Sequence, residues 1–193
     1  LSALPDSITK ALAIPAHHRS GTIKDVEHIV ILTQENRSFD HMMGWVPGAD
    51  GRQAGLTYTD AAGVESATYA LAPDYQGCGH PDPDHSYEGA RVEFNGGACD
   101  GWLRAGENDI YSIGYYTDAD LPFFAVAARD WTICDPYFAA IMGPTFSNRL
   151  YFHCAQTDRI TNSFEPCTLP TIWDRLAARK INARYYFSDA PFL

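Results

Sequence analysis

The chain has 193 residues, 46% hydrophobic and 20% charged, enough for one domain with a sizeable core. Its formal net charge of −10 and the lack of any Lys or Arg cluster argue against a nucleic-acid partner. No apolar run approaches the ~20 residues needed to span a bilayer, and residues 1–16 lack the basic and apolar regions of a signal peptide.

In chain order, residues 1–22 read as an N-terminal arm, with a short helix capped at Asp6 or Ser7 and ended by Pro15. Residues 26–33 form an apolar run that predicts a buried strand. A short helix follows over residues 37–43, with Asn36 or Ser38 as its cap and Gly44 as its stop. Residues 45–79 are rich in Gly, Pro, Asp and Tyr and read as a covering loop with a small hairpin near residues 56–58 and 67–71. Helices are predicted over residues 86–92, from Asp118 to about Ala128, from Thr145 to about Ala155, and over residues 171–180. Residues 131–134 and 181–187 predict two further strands, with Cys134 as a buried thiol. Strands alternating with helices indicate an α/β fold with a parallel sheet. Three strands would leave long bare edges, so residues 23–193 are expected to be the N-terminal part of a larger domain.

Five cysteines are present and none forms a Cys-x-x-Cys pair, which disfavours a zinc knuckle. Cys78 with Cys99, or Cys154 with Cys167, would close loops in an oxidising compartment, and spacing does not choose between these pairings.

Three segments carry chemistry. Glu35 and Asn36 directly follow the first predicted strand, at the carboxyl edge where α/β sheets bind ligands. A carboxylate beside a carboxamide offers two hard oxygens to a divalent cation; the alternative is a plain helix start. Thr145 and Ser147 stand where a helix begins after Gly143-Pro144. A hydroxyl there lies in a positive backbone field that favours an alkoxide and binds phosphate oxygens. It is equally an ordinary cap. His80, Asp82, Asp84 and His85 crowd one proline-stiffened stretch, from which His85 can donate to a phosphoryl oxygen or protonate a leaving group. Asp84 reads as a helix cap and His80 as a solvated loop residue. Nucleotide-binding glycine loops and the Gly-x-Ser-x-Gly elbow of serine hydrolases do not occur.

Taken together, these segments resemble the bacterial phosphoesterase family that contains phosphocholine-preferring phospholipases C and a related acid phosphatase, within the alkaline-phosphatase-like superfamily. The resemblance rests on residues 26–41, Asp84-His85-Ser86, Asn95-Gly96-Gly97 with Asp100-Gly101, and residues 114–122. It continues through Thr132-Ile133-Cys134-Asp135, Gly143-Pro144-Thr145 with Asn148-Arg149-Leu150, and residues 171–176. It implies a three-layer α/β/α sheet, incomplete in this chain, and one divalent metal ion (Zn, Ca, Mg or Mn) held by Glu35, Asn36 and Thr145. Thr145 is then also the nucleophile, His85 a catalytic phosphate contact or proton donor, and His85 and Asn148 the substrate-binding residues. Ser147 stands where the family has proline and is set aside, and Arg149 is assigned to bracing the helix. The implied reaction is phospholipase C-type cleavage of a phosphodiester through a phospho-threonine. The alternatives are an acid phosphatase with the same site and an inactive structural fragment of a larger enzyme. Tyr115, Tyr116, Phe123 and Phe124 are core or the walls of a choline cage. The resemblance further implies export to the periplasm or medium, at most peripheral membrane contact, a phospholipid or small phosphoester substrate, and dependence on a C-terminal part carrying further metal ligands.

Overall fold

The computed structural model describes Lys10, Ala13, residues 20–34 and residues 36–187. Of the helix predicted between Asp6 and Ala13, only Lys10, which is helical, and Ala13 are among the described residues. The chain divides into two units, Leu1–Glu35 and Asn36–Leu193.

In the first unit a turn forms around one carboxylate. Asp25 accepts from the Ser20 amide at 2.8 Å, the Ser20 hydroxyl at 2.7 Å and the Gly21 amide at 2.7 Å, while Thr22 caps the 3-10 turn Ile23–Asp25. Residues 26–33, predicted as a buried strand, join no ladder; Val30 is 88% and Leu32 84% exposed. A strand is held by pairing with a neighbour, and among the described residues none pairs with this run.

The second unit is mixed α/β with small sheets. Helix α1, Phe39–Met43, starts at Ser38, whose hydroxyl accepts from the His41 amide at 3.1 Å. Strands β1, Thr57–Thr59, and β2, Glu65–Ala67, make a hairpin near the predicted one, with Thr57 opposite Ala67 and its second strand ending where residues 67–71 were expected to form it. A second pair, parallel and two residues long, joins β3, Tyr69–Ala70, to β4, Gly114–Tyr115. It is too short to leave a periodic pattern in the sequence. Gly114 is required there, since a Cβ would sit 2.5 Å from a methyl carbon of Leu71. Gln53, buried in the 45–79 segment, donates to the carbonyls of Asp40 and Tyr116 at 2.7 and 3.1 Å and so pins that segment to α1 and the chain after β4.

Helix α2, Tyr87–Phe94, follows its Ser86 cap and ends at Asn95, in the left-handed region at φ 41°. Helix α3, Pro122–Asp130, starts four residues after the predicted Asp118. The Asp120 carboxylate takes the Thr117 amide and hydroxyl at 2.7 and 2.8 Å, closing a separate turn, and Pro122 then opens the helix. Helix α4, Thr145–Cys154, matches its prediction, and α5, Ile172–Ala178, starts in a reciprocal capping box between Thr171 and Asp174. Among the described residues the buried apolar side chains are Leu71, Leu103, Ala105, Ile113, Phe146 and Leu150.

Two further expectations need correction. Residues 131–134 and 181–187 run as irregular chain, not strands. Trp131 is 79% exposed and Cys134, predicted to be buried, is exposed. Both runs were read as buried from apolar content, but burial needs a covering layer as well, and none covers them among the described residues. All five cysteines are free thiols.

Candidate active site

The site is built on the amino end of α4. Its buried face, Phe146, Ser147, Leu150 and His153, repeats at helical spacing and anchors the helix. The Ser147 hydroxyl is fully buried and donates to the Arg159 carbonyl at 2.9 Å. Thr145 is the first helical residue and half-buried. Pro144 cannot cap the helix through its side chain; instead the Asn162 carboxamide oxygen accepts from the Phe146 amide at 3.1 Å. The corner before Thr145 is shaped by Asn148. Its carboxamide accepts from the Ile141 amide at 3.2 Å and donates to the carbonyls of Ile141, Gly143 and Pro144 at 3.0, 3.0 and 3.3 Å.

Against this corner lies α2 with the strap of residues 82–86 that precedes it. The Asp84 carboxylate accepts from the Ser86 amide at 2.9 Å, and the Ser86 hydroxyl accepts from the Gly89 amide at 2.9 Å. Those Ser86 contacts hold the Asp84 carboxyl below the usual carboxylate range. The His85 Nδ1 lies 3.0 Å from the Pro83 carbonyl, which can only accept, so Nδ1 carries a proton. The neutral ring then presents Nε2 as acceptor, and the charged ring presents it as donor. The His85 side chain is 51% exposed, and the Asp82 carboxylate stands 3.9 Å from Nδ1. Arg91 ties α2 to the α4 corner: its guanidinium covers the Tyr87 ring at 3.3 Å and donates to the Met142 carbonyl at 2.6 Å.

Between strap and corner opens a cavity of about 380 Å³ whose walls include His85, Glu107, Pro144, Thr161 and Asn162. His85 and the residue preceding Thr145 therefore face one space. Asp82, Asp84, Glu88 and Glu107 also contribute to its walls, which makes the cavity acidic. Asn162 and Glu107 escaped the reading of the sequence because each is a single polar residue in a loop, and only folding brings them beside α4.

The predicted metal ligands are not assembled in the same way. Glu35 lies outside the described residues. Asn36 is exposed, with its backbone in the left-handed region at φ 63°. Among the described residues no three His, Cys, Asp or Glu side chains converge on a point that would hold a metal. Asn36 and Thr145 offer only two neutral oxygens, short of the six or more that a hard cation takes or the four of zinc. The described donor set thus does not by itself fit a divalent cation.

A model of the Phosphoesterase family matches residues 26–192. Among individual relatives, the non-hemolytic phospholipase C of Pseudomonas aeruginosa is 34% identical, with 100% of this chain aligned to 32% of that protein. Phospholipase C A of Mycobacterium tuberculosis is 36% identical over 72% of this chain and 31% of its own length. The non-specific phospholipase C6 of Arabidopsis thaliana is 25% identical over 86% of this chain and 35% of its own. The chain thus spans about a third of the length of the relatives it matches. A family match over nearly the whole chain establishes that the chain belongs to the Phosphoesterase family.

Proposed function

We propose that this chain supplies the nucleophile half of a phosphoric ester hydrolase of the phospholipase C type, acting on a phosphodiester. The observation that carries the reading is the shared cavity of His85 and the α4 corner, with Thr145 at the amino end of a ten-residue helix.

In this reading the substrate phosphorus lies in line with the Thr145 hydroxyl oxygen. The helix end lowers the cost of developing an alkoxide there. The Thr145 hydroxyl proton passes to solvent as the new bond forms between Thr145 Oγ1 and phosphorus, and the bond from phosphorus to the leaving alcohol oxygen breaks. His85, charged and with Nδ1 anchored on Pro83, hands its Nε2 proton to that leaving oxygen. Water then attacks the phosphorus, its proton passing to the now neutral His85 Nε2, and the bond from Thr145 Oγ1 to phosphorus breaks as that oxygen regains a proton from solvent. Asn148 serves substrate binding by fixing the corner that presents Thr145. Glu35, Asn36 and Thr145 are the proposed donors to a divalent cation, which when bound would offset phosphate charge. Because the described donors do not complete its shell, no step is routed through it.

The acidic walls favour the diester over the monoester. A phosphate monoester dianion meets carboxylates on several sides, whereas a diester carries a single negative charge and a cationic head group offsets it. Phosphatidylcholine-like lipids satisfy this, and the relatives are phospholipases C by name. For the whole protein we propose the three-layer α/β/α sheet, with residues 26–33, 131–134 and 181–187 entering it as strands. Export and peripheral membrane contact belong to the same proposal; no helix among the described residues is long and apolar enough to cross a membrane.

The test is chemical. The chain, and a protein of the relatives' length, are incubated with p-nitrophenyl-phosphorylcholine and p-nitrophenyl phosphate, quenched in acid, and mapped by mass spectrometry. A phosphoryl group on Thr145 and faster diester turnover support the reading. An active protein whose turnover survives Thr145→Ala refutes the nucleophile, and inactivity of both refutes the enzyme.

A further inference from the structure

Beside the strap, four polar groups form a chain of contacts that the mechanism does not use. The Asn108 carboxamide oxygen accepts from the Asp84 amide at 2.6 Å. Its NH₂ donates to the Trp102 carbonyl at 2.8 Å and to the Glu93 carboxyl at 3.3 Å. The orientation of the carboxamide is fixed by its partners: an amide can only donate, and a carbonyl can only accept. Aspartate would lack the donors, and an apolar side chain would lack both.

Glu93 sits on the last turn of α2, and its own backbone carbonyl accepts from the Gly101 amide at 3.1 Å. Position 101 must be glycine, since a Cβ there would lie 1.8 Å from the Val92 carbonyl oxygen. This closeness presses the loop of residues 100–108 onto α2 and leaves the Glu93 carboxyl half-buried. The charged groups acting on it are Asp84 and His85, both from the strap. The loop presents the neutral Asn108; its Arg104 is bound to Asp100 at 2.7 Å, and its Glu107 belongs to the cavity wall. On the far side, Asp84 is itself confined: a Cβ at Gly89 or Gly106 would meet its side chain at 2.3 and 2.9 Å.

We propose that Asn108 and Glu93 are positioning residues for His85: the charge on Glu93, relayed by Asn108, sets how firmly the strap of residues 82–86 is held against the cavity. An uncharged Glu93 leaves the Asp84 carboxylate undisturbed as the brace of Ser86. An ionised Glu93 repels that carboxylate and draws the Asn108 NH₂ toward itself, which loosens the Asp84 contact. Burial first, and the Asp84 charge after it, push the Glu93 carboxyl up to about 7, inside the range in which an enzyme works. That His85 serves catalysis rests on the function proposed above; the coupling itself does not.

The experiment follows the ¹³C signal of the Glu93 carboxyl and the ¹⁵N–¹H signal of the Asp84 amide in the labelled 193-residue chain, over roughly pH 5 to 9. Both are expected to move together with a midpoint near 7. Glu93→Gln is expected to flatten the Asp84 response. Asn108→Ala leaves Glu93 titrating while the Asp84 amide no longer follows. Asn108→Leu, which keeps the side-chain size without charge and loses both bonds, gives the same uncoupling should the alanine variant fail to fold. A Glu93 midpoint below about 5, or an Asp84 step that persists in Glu93→Gln, overturns the proposal. A separate arm adds inorganic phosphate or phosphocholine and watches the His85 ring. If neither ligand moves it while the Glu93–Asp84 coupling is present, the phosphoester reading fails and the positioning pair stands.

Discussion

Single residues in this chain carry opposite responses to pH, and their signs separate them. The Glu93 carboxyl is raised from 4.5 to about 7 by burial, so the folded state favours its protonated form. Its contribution to stability is complete below the unfolded value and is lost as pH rises through about 7. His41 and His153 act the other way: burial lowers both below 6.5, so between the folded value and 6.5 the unfolded chain binds more protons and stability rises with pH. A plain stability–pH curve therefore mixes the two. The difference between wild type and Glu93→Gln isolates the carboxyl. Measured by urea unfolding, the wild-type advantage is expected to shrink from about pH 4.5 to about pH 7 and stay level above. A difference that is constant across this window would show that Glu93 ionises alike in both states. None of this was legible in the sequence, where Glu93 is one carboxylate among 24 acidic residues; its burial follows from the packing of Gly101 on Val92.

At the scale of elements, the α4 corner depends on two hydroxyls that share one acceptor. The Arg159 carbonyl accepts from Ser147 at 2.9 Å and from Thr157 at 2.9 Å. Removing either leaves the carbonyl satisfied, so Ser147→Ala or Thr157→Ala alone is expected to cost about 1 kcal/mol or less. The double variant strands the carbonyl, and its cost should exceed the sum of the singles by about 1 kcal/mol. A strictly additive cycle in denaturant unfolding would mean that water reaches the carbonyl. The capping box of α5 offers a simpler case: Thr171→Ala removes both the acceptor for Asp174 N–H, at 3.2 Å, and the hydroxyl donated to its carboxylate, at 2.8 Å. A loss of about 1–2 kcal/mol is expected, against a few tenths for Thr171→Gly in the same assay. Helix starts such as Ser38 and Thr171 are written locally, as a hydroxyl bonding within three residues, and the sequence places them to within a residue or two; at the strap the cap is Ser86, where Asp84 was expected. Helix α3 did not, because Asp120 had two local uses and closed the earlier turn around Thr117. That the His85 strap and the α4 corner face one cavity was suggested only by the family motifs. The strap and the corner lie about sixty residues apart, and Arg91 and Asn162, which join them to one cavity, have no sequence signature of their own.

At the scale of the whole molecule, the three runs predicted as strands were read from composition, which records where a segment is to be buried and not what covers it. Val30 and Leu32 are 88% and 84% exposed, while Leu150 is 2% exposed on the buried face of α4. In this chain Val30→Lys with Leu32→Lys is therefore expected to leave the unfolding free energy within about 0.5 kcal/mol of wild type, as surface substitutions do. Leu150→Ala should cost about 2–5 kcal/mol. In a protein of the relatives' length the expectation for the lysine pair inverts. If residues 26–33 enter a sheet covered on both faces, at least one lysine meets a helix layer, and the cost rises to several kcal/mol as a charge is buried without a partner. Parallel denaturant unfolding of the two proteins checks both halves. A lysine pair that is harmless in both removes residues 26–33 from the proposed three-layer sheet, and with them the sheet edge on which Glu35 and Asn36 were placed as metal donors.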